Sequence, residues 1–139
     1  MLRYTFSKTE RLNNKKKINL LFEQASSVKT SCFTVLYLLT DNTKSPDNSP
    51  VQVLISVPKR LCRLSVHRNL VKRRIRESYR LQKHTVIQSI PNTNKQLLLA
   101  FIYQTSEILD FKTIDTSIRE ALTQINKEII KSTQTNSSK

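Results

Sequence analysis

"SVHRNLVKRRIRESYR", Ser65 to Arg80, carries six Arg/Lys residues and one acid, Glu77. Successive residues of an α-helix rotate by about 100°. On that spacing Val71, Ile75, Ser78 and Tyr79 share one arc, and Asn69, Lys72, Arg73, Arg76 and Arg80 share another. The spacing predicts a helix from about Ser65 to Lys83, with Ser65 as its N-cap. One stripe needs a core to pack on. The other offers guanidinium groups outward. Arg74 falls on the opposite flank, and Leu70 outside the apolar stripe.

Four readings of such a helix compete. A solvated basic face normally interleaves Glu with Lys at i,i+4 spacing, because like charges at that spacing repel by a few tenths of a kcal/mol per pair. Here Glu77 is the one acid. A membrane-surface helix needs a bulky apolar face left free, and this apolar stripe is needed for the core. A DNA-reading helix needs a partner helix across a tight turn just before it. What precedes is "VQVLISV" and "PKRLCRL", a strand and a loop. An RNA-docking helix fits best. Arg outnumbers Lys, and a planar fork can give phosphate two hydrogen bonds.

The charge beyond the helix agrees. The chain has 139 residues, the size of one domain, a net charge of +14 and a pI near 10.2. Ten Lys/Arg and one acid lie between Lys59 and Lys83, and six Lys/Arg against Glu10 between Arg3 and Lys17; the other eight Lys/Arg meet eight acids. An excess confined to two segments points to a polyanionic partner, a nucleic acid.

Outward from the helix, Val51–Val57 alternates as a strand and Cys32–Thr40 is rich in β-branched and aromatic residues. These two read as a hairpin across the loop Asp41–Pro50, with one more short strand placed in "KRLCRL". Gln96–Tyr103 is apolar throughout and reads as a strand buried on both faces. Ile18, Leu21, Phe22 and Ala25 mark a short first helix capped by Asn13 or Asn14. Ile114, Ile118, Leu122, Ile125 and Ile129 mark the last one. Residues 1–13 read as irregular and basic, and 132–139 as a disordered polar tail. The expected whole is one α+β domain, 1–139, with helices covering one face of a small sheet.

Glycine is absent. P-loops, GxGxxG turns and GxSxG elbows each require it. Positions of positive φ fall to residues such as Asn42, Asn48, Asn92 and Asn94. Cys32 and Cys62 form no CxxC pair and read as ordinary reduced thiols. No apolar run approaches a membrane span of ~20 residues, and the N-terminus lacks the apolar stretch of a secretory signal. A cytoplasmic protein without a membrane or small-molecule partner is expected.

"ISVPKRLCRLSVHRNLVKRRIRESYR", 55–80, resembles the signature of the bacterial ribonuclease P protein subunit. In that family a strand ending in Ser-x-x-Lys-Lys/Arg precedes a helix bearing Arg-Asn-Arg-x-Lys-Arg-x-x-Arg-Glu-x-x-Arg. Ser56, Lys59 and Arg60 match the first part. Arg68, Asn69, Lys72, Arg73, Arg76, Glu77 and Arg80 match the second. Leu70 replaces the second Arg of the triplet, and the family's preceding glycine is missing. The flanks are similar in register, including Arg11-Leu12.

The resemblance implies a small two-layer α+β sandwich of order αβββαβα, with a four-stranded sheet and a left-handed βαβ crossover, against the usual handedness. It implies a protein that binds the catalytic RNA and the single-stranded 5′ leader of precursor tRNA. Lys59, Arg60, Arg63, Arg68, Asn69, Lys72, Arg73, Arg76 and Arg80 are then expected on the catalytic RNA. Lys15, Lys17, Ile18, Phe22 and Tyr37, or its neighbour Leu36, are expected to line a leader cleft. Single strands need just this mixture of cations and apolar platforms. Ile18 and Phe22 read equally well as core.

Phosphodiester hydrolysis by protein commonly needs metals held by clustered carboxylates. Asp41, Asp47, Asp110, Asp115 and Glu120 are scattered, and His67 and His84 lack ligand-spaced partners. No catalytic or metal-binding residue is assigned, and no cofactor is expected on the protein. The resemblance implies that the RNA subunit does the chemistry with magnesium. A ribosomal or other structural RNA-binding protein is the alternative, and a metal-dependent nuclease the third.

Overall fold

The computed structural model describes residues 11–12, 15–41, 51–88 and 95–137; for Asp41, Ile87, Lys95 and 132–137 it describes the backbone alone. Helix α1 spans Lys15–Gln24, strands β1 to β3 span Ser26–Lys29, Phe33–Asp41 and Val51–Ser56, α2 spans Ser65–Ile87, β4 Lys95–Tyr103 and α3 Phe111–Ser137. The order is αβββαβα.

The sheet runs β1-β2-β4-β3. β4 pairs antiparallel with β2 and parallel with β3. The expected hairpin of the second and third strands is therefore not formed: β4 lies between them. The reason is visible in β4 itself. Residues Gln96 to Phe101 are all buried, and a strand buried on both faces belongs inside a sheet, with neighbours on both edges. β3 and β4 run parallel, so they need a long crossover, and α2 supplies it.

The extra strand is β1, not "KRLCRL". β1 pairs antiparallel with β2 after a turn closed by Thr30 N to Phe33 O at 2.9 Å. Its sequence, SSVK, has no alternation to reveal it; Val28 alone packs on the core. Lys59–Leu61 form a turn instead, with the amides of Leu61 and Cys62 both donating to Pro58 O at 3.1 Å.

Alternation in the strands builds two cores. Val35, Val53, Leu97, Leu99, Phe101 and Tyr103 face α2 and α3 and meet Val71, Ile75, Tyr79, Ile114, Ile118, Leu122 and Ile125. Leu98 and Ala100 face the other way, with Leu36, Leu38 and Leu54, and meet Leu12, Ile18 and Leu21. So two helices cover one face as expected, while α1 lies on the opposite face. Aromatic rings tie the larger core together: Phe33 lies 5.5 Å from Tyr103 and 6.2 Å from Phe101, and Tyr79 lies 6.0 Å from Phe101. Each such pair adds about 0.5–1.5 kcal/mol beyond area burial.

The arc Val71, Ile75, Ser78, Tyr79 is fully buried, as the spacing predicts. The helix starts differently: Leu64 is the N-cap, with no side-chain cap bond, and Ser65 is the first helical residue. "TVI" prolongs α2 to Ile87. At the other end of the chain, α3 continues to Ser137, so 132–137 is helical where composition suggests an irregular tail. Propagating a long helix costs far less than starting one. Asn13, Asn14, Asn42, Asn48, Asn92 and Asn94 lie outside the described residues, as does Asp47.

Candidate RNA-binding surface

Burying Val71, Ile75 and Tyr79 fixes the rotation of α2. Asn69 and Arg73 are then exposed, and Lys72, Arg76 and Arg80 half-buried. Lys59, Arg60 and Arg63 are exposed in the loop before the helix. Lys83, the last cation of the charged segment, is buried. Arg74, on the opposite flank, donates to Leu109 O beside α3.

Arg80, Arg68 and Arg76 are also engaged within the chain. Arg80 Nη2 lies 2.5 Å from Glu77 Oε1, and Arg80 Nε donates to Glu77 Oε2 at 3.1 Å. That hydrogen bond holds the Glu77 carboxyl below its ordinary value and raises the guanidinium. Arg68 Nη1 donates to the carbonyls of Cys62 and Arg63 at 3.0 and 2.8 Å. Arg76 Nε makes a long 3.4 Å bond to Lys72 O.

The N-terminal segment joins this surface. Leu12 N donates to Val53 O at 2.9 Å, and Arg11 bridges Val53 in parallel register along the outer edge of β3. Arg11, Leu12, Val53, Leu54, Ile55, Lys72 and Arg76 line a pocket of about 270 Å³. The two segments of excess charge, about sixty residues apart in sequence, thus meet at one mostly apolar hollow. Sequence reading places Arg11 in the basic N-terminus and in the family's register but gives it no site role. The signal that was missing is the pairing with β3, which no local pattern encodes.

On the opposite face, Phe22 is 53% exposed while its neighbour Leu21 is fully buried. Ile18 is half-buried against Leu21, Leu98 and Ala100. Lys15 is exposed; Lys17 donates from Nζ to Gln96 Oε1 on β4 at 2.8 Å. Lys15, Lys17, Ile18 and Phe22 therefore all lie on α1, Lys17 and Ile18 against the sheet and Lys15 and Phe22 exposed. Tyr37 is not with them. Leu36 and Leu38 face α1, and Tyr37 packs on the core under α3, because side chains of a strand alternate. The residue that faces α1 is Leu36. Gln96, whose side chain is buried on this face, is a further member that the sequence reading missed.

Among the described residues no group of three or more His, Cys, Asp or Glu is placed to hold a metal. Cys32 and Cys62 are free and buried. Burial pushes the Cys32 thiol up, although it donates to Ser117 Oγ at 3.0 Å.

Residues 6–126 match the family model described as Ribonuclease P. The chain belongs to the ribonuclease P protein family. It is 31% identical over 122 residues to the ribonuclease P protein component of Porphyromonas gingivalis, an overlap of 88% of this chain and 87% of that one. The ribonuclease P protein component of Chlorobaculum tepidum is 31% identical over 94 residues, 65% of this chain and 61% of the other. Two solved RNase P proteins share the fold. One is a Staphylococcus aureus mutant described as having defective mRNA degradation activity (TM-score 0.66, 23% identity, 85% of this chain and 89% of that one). The other is from Thermotoga maritima (TM-score 0.62, 22% identity, 83% and 96%). As a ribonuclease P protein component, the chain is assigned to tRNA processing within a ribonucleoprotein.

Proposed function

We propose that this chain docks on the catalytic RNA of ribonuclease P and holds the 5′ leader of precursor tRNA, promoting removal of that leader. One observation carries the reading: cations from both basic segments, Arg11 with Lys72 and Arg76, surround one apolar-walled hollow. Phosphates need cations, and unstacked bases need apolar surface. The catalytic RNA is assigned to Lys59, Arg60, Arg63, Asn69, Lys72, Arg73, Arg76 and Arg80, with Arg68 behind them. The leader is assigned to the α1 face, with Lys15, Lys17, Ile18, Phe22 and Leu36.

The chain contributes binding and orientation. The reading assigns hydrolysis, and the magnesium it uses, to the RNA subunit. The cytoplasm, where precursor tRNA is made in bacteria, is the compartment this reading requires. No helix among the described residues is long and apolar enough to cross a membrane.

The test is the affinity of the cognate RNA, with and without this protein, for tRNA that carries or lacks a leader. The protein is expected to tighten binding of the leader-bearing form at least tenfold more than that of the mature form. Equal tightening of both would support a structural RNA-binding role instead.

A further inference from the structure

Arg68 stands in the first turn of α2, in the block of cations assigned to RNA, yet its side chain turns back on its own chain. Nη1 donates to Cys62 O at 3.0 Å and to Arg63 O at 2.8 Å. That nitrogen carries two hydrogens, and the two carbonyls accept both. The backbone amide of Arg68 donates to Leu64 O at 3.0 Å. One residue therefore takes up the carbonyls of 62, 63 and 64 in succession. The N-cap residue, Leu64, adds no side-chain hydrogen bond to hold the start of α2. The loop it grips is short and tightly closed, with Leu61 N and Cys62 N both on Pro58 O. Lys59, Arg60 and Arg63 project from it, all exposed.

We infer that Arg68 is a positioning residue: its guanidinium clamps the 58–63 turn onto α2, so that Lys59, Arg60 and Arg63 form one surface with the helix cations. A charged donor makes each of these bonds stronger than a neutral one, and a guanidinium with Nη1 spent on main chain has fewer hydrogens left for phosphate. The clamp itself is independent of the proposed function; its consequence for RNA rests on that reading.

Limited trypsin digestion of the free full-length protein tests the clamp, because Lys59, Arg60 and Arg63 are themselves cleavage sites. Arg68→Ala should speed cleavage there about fivefold to tenfold by favouring local opening. Cleavage after Arg119 in α3 should keep its wild-type rate. Arg68→Lys, which keeps the charge but not the fork, should lie between the two. Wild-type rates at 59–63 would overturn the inference. So would an equal rise at Arg119 in both variants, which would mean general unfolding.

The second arm is binding to the catalytic RNA. Arg68→Ala should weaken binding in the wild-type background, and should cost less than about twofold once Lys59, Arg60 and Arg63 are already alanine, since coupled residues are not additive. The same loss in both backgrounds would make Arg68 an independent phosphate contact and sink its positioning role. If the wild-type protein bound no catalytic RNA, the proposed function would fall, while the digestion result would stand by itself.

Discussion

Leu21 and Phe22 are consecutive residues of α1, about 100° apart around it, yet they meet opposite environments: Leu21 is fully buried against the sheet and Phe22 stands 53% exposed. A phenylalanine this exposed contributes little to the core. Leu21→Ala should cost about 2–5 kcal/mol of stability, the usual range for a core leucine. Phe22→Ala should cost less than about 1 kcal/mol. The same Phe22→Ala should reduce the affinity of the reconstituted complex for leader-bearing tRNA more than for mature tRNA. Denaturant titration and binding to the two RNAs check the pair. Equal loss for both RNAs would remove Phe22 from the leader surface.

Tyr37 gives the complementary expectation. It packs under α3, across the sheet from α1. Tyr37→Ala should lower the unfolding midpoint and leave the preference for leader-bearing over mature tRNA at its wild-type ratio. A collapse of that ratio at full folding would place an RNA contact on the α3 side.

The helices α2 and α3 are fastened by one carboxylate. Asp115 Oδ1 accepts from Ser78 Oγ and from Gln82 Nε2, both at 2.7 Å, and Oδ2 accepts from Arg119 Nη2 at 3.0 Å. Ser78 is fully buried. Asp115→Ala removes the acceptor of the Ser78 hydroxyl proton, leaving that hydroxyl the bond it accepts from Gln82 Nε2 at 2.9 Å, and should cost about 1–3 kcal/mol in denaturant unfolding. The double variant Ser78→Ala/Asp115→Ala should recover part of that loss. A double variant as unstable as the sum of the singles would contradict the coupling.

The Glu77–Arg80 pair makes a pH prediction. Hydrogen bonding from Arg80 lowers the Glu77 carboxyl below its ordinary 4.5. A lowered folded value means the pair's stabilisation is complete above about pH 4.5 and is lost as pH falls through the folded value. In Arg80→Ala, the Glu77 side chain should titrate higher, back toward 4.5, by NMR. An unmoved titration would show that the pair does not form in solution.

Much of this architecture is legible in the chain because it follows from periodicity. The α2 arcs, the doubly buried β4 and the isoleucine stripe of α3 each express a local spacing tied to one environment. What was not legible was relative placement. Nothing near Val51 or Cys32 announces that β4 comes between their strands; that follows only from asking where a strand apolar on both faces must sit. The Leu36/Tyr37 choice depended on a one-residue register, which reverses every side chain. Arg11 joins one surface by pairing with β3, and Gln96 of β4 joins the other through its bond from Lys17 of α1. Arg68 matches the family pattern as one of the cations expected on RNA, and its carbonyl acceptors lie in an irregular turn with no pattern to read.

The most direct test of the whole account is 5′ maturation of precursor tRNA by the cognate catalytic RNA at low magnesium, with and without the protein. The account predicts little cleavage by the RNA alone, strong stimulation on adding the protein, and no cleavage by the protein alone. Unchanged cleavage on adding folded protein, or cleavage with no RNA subunit present, would contradict it.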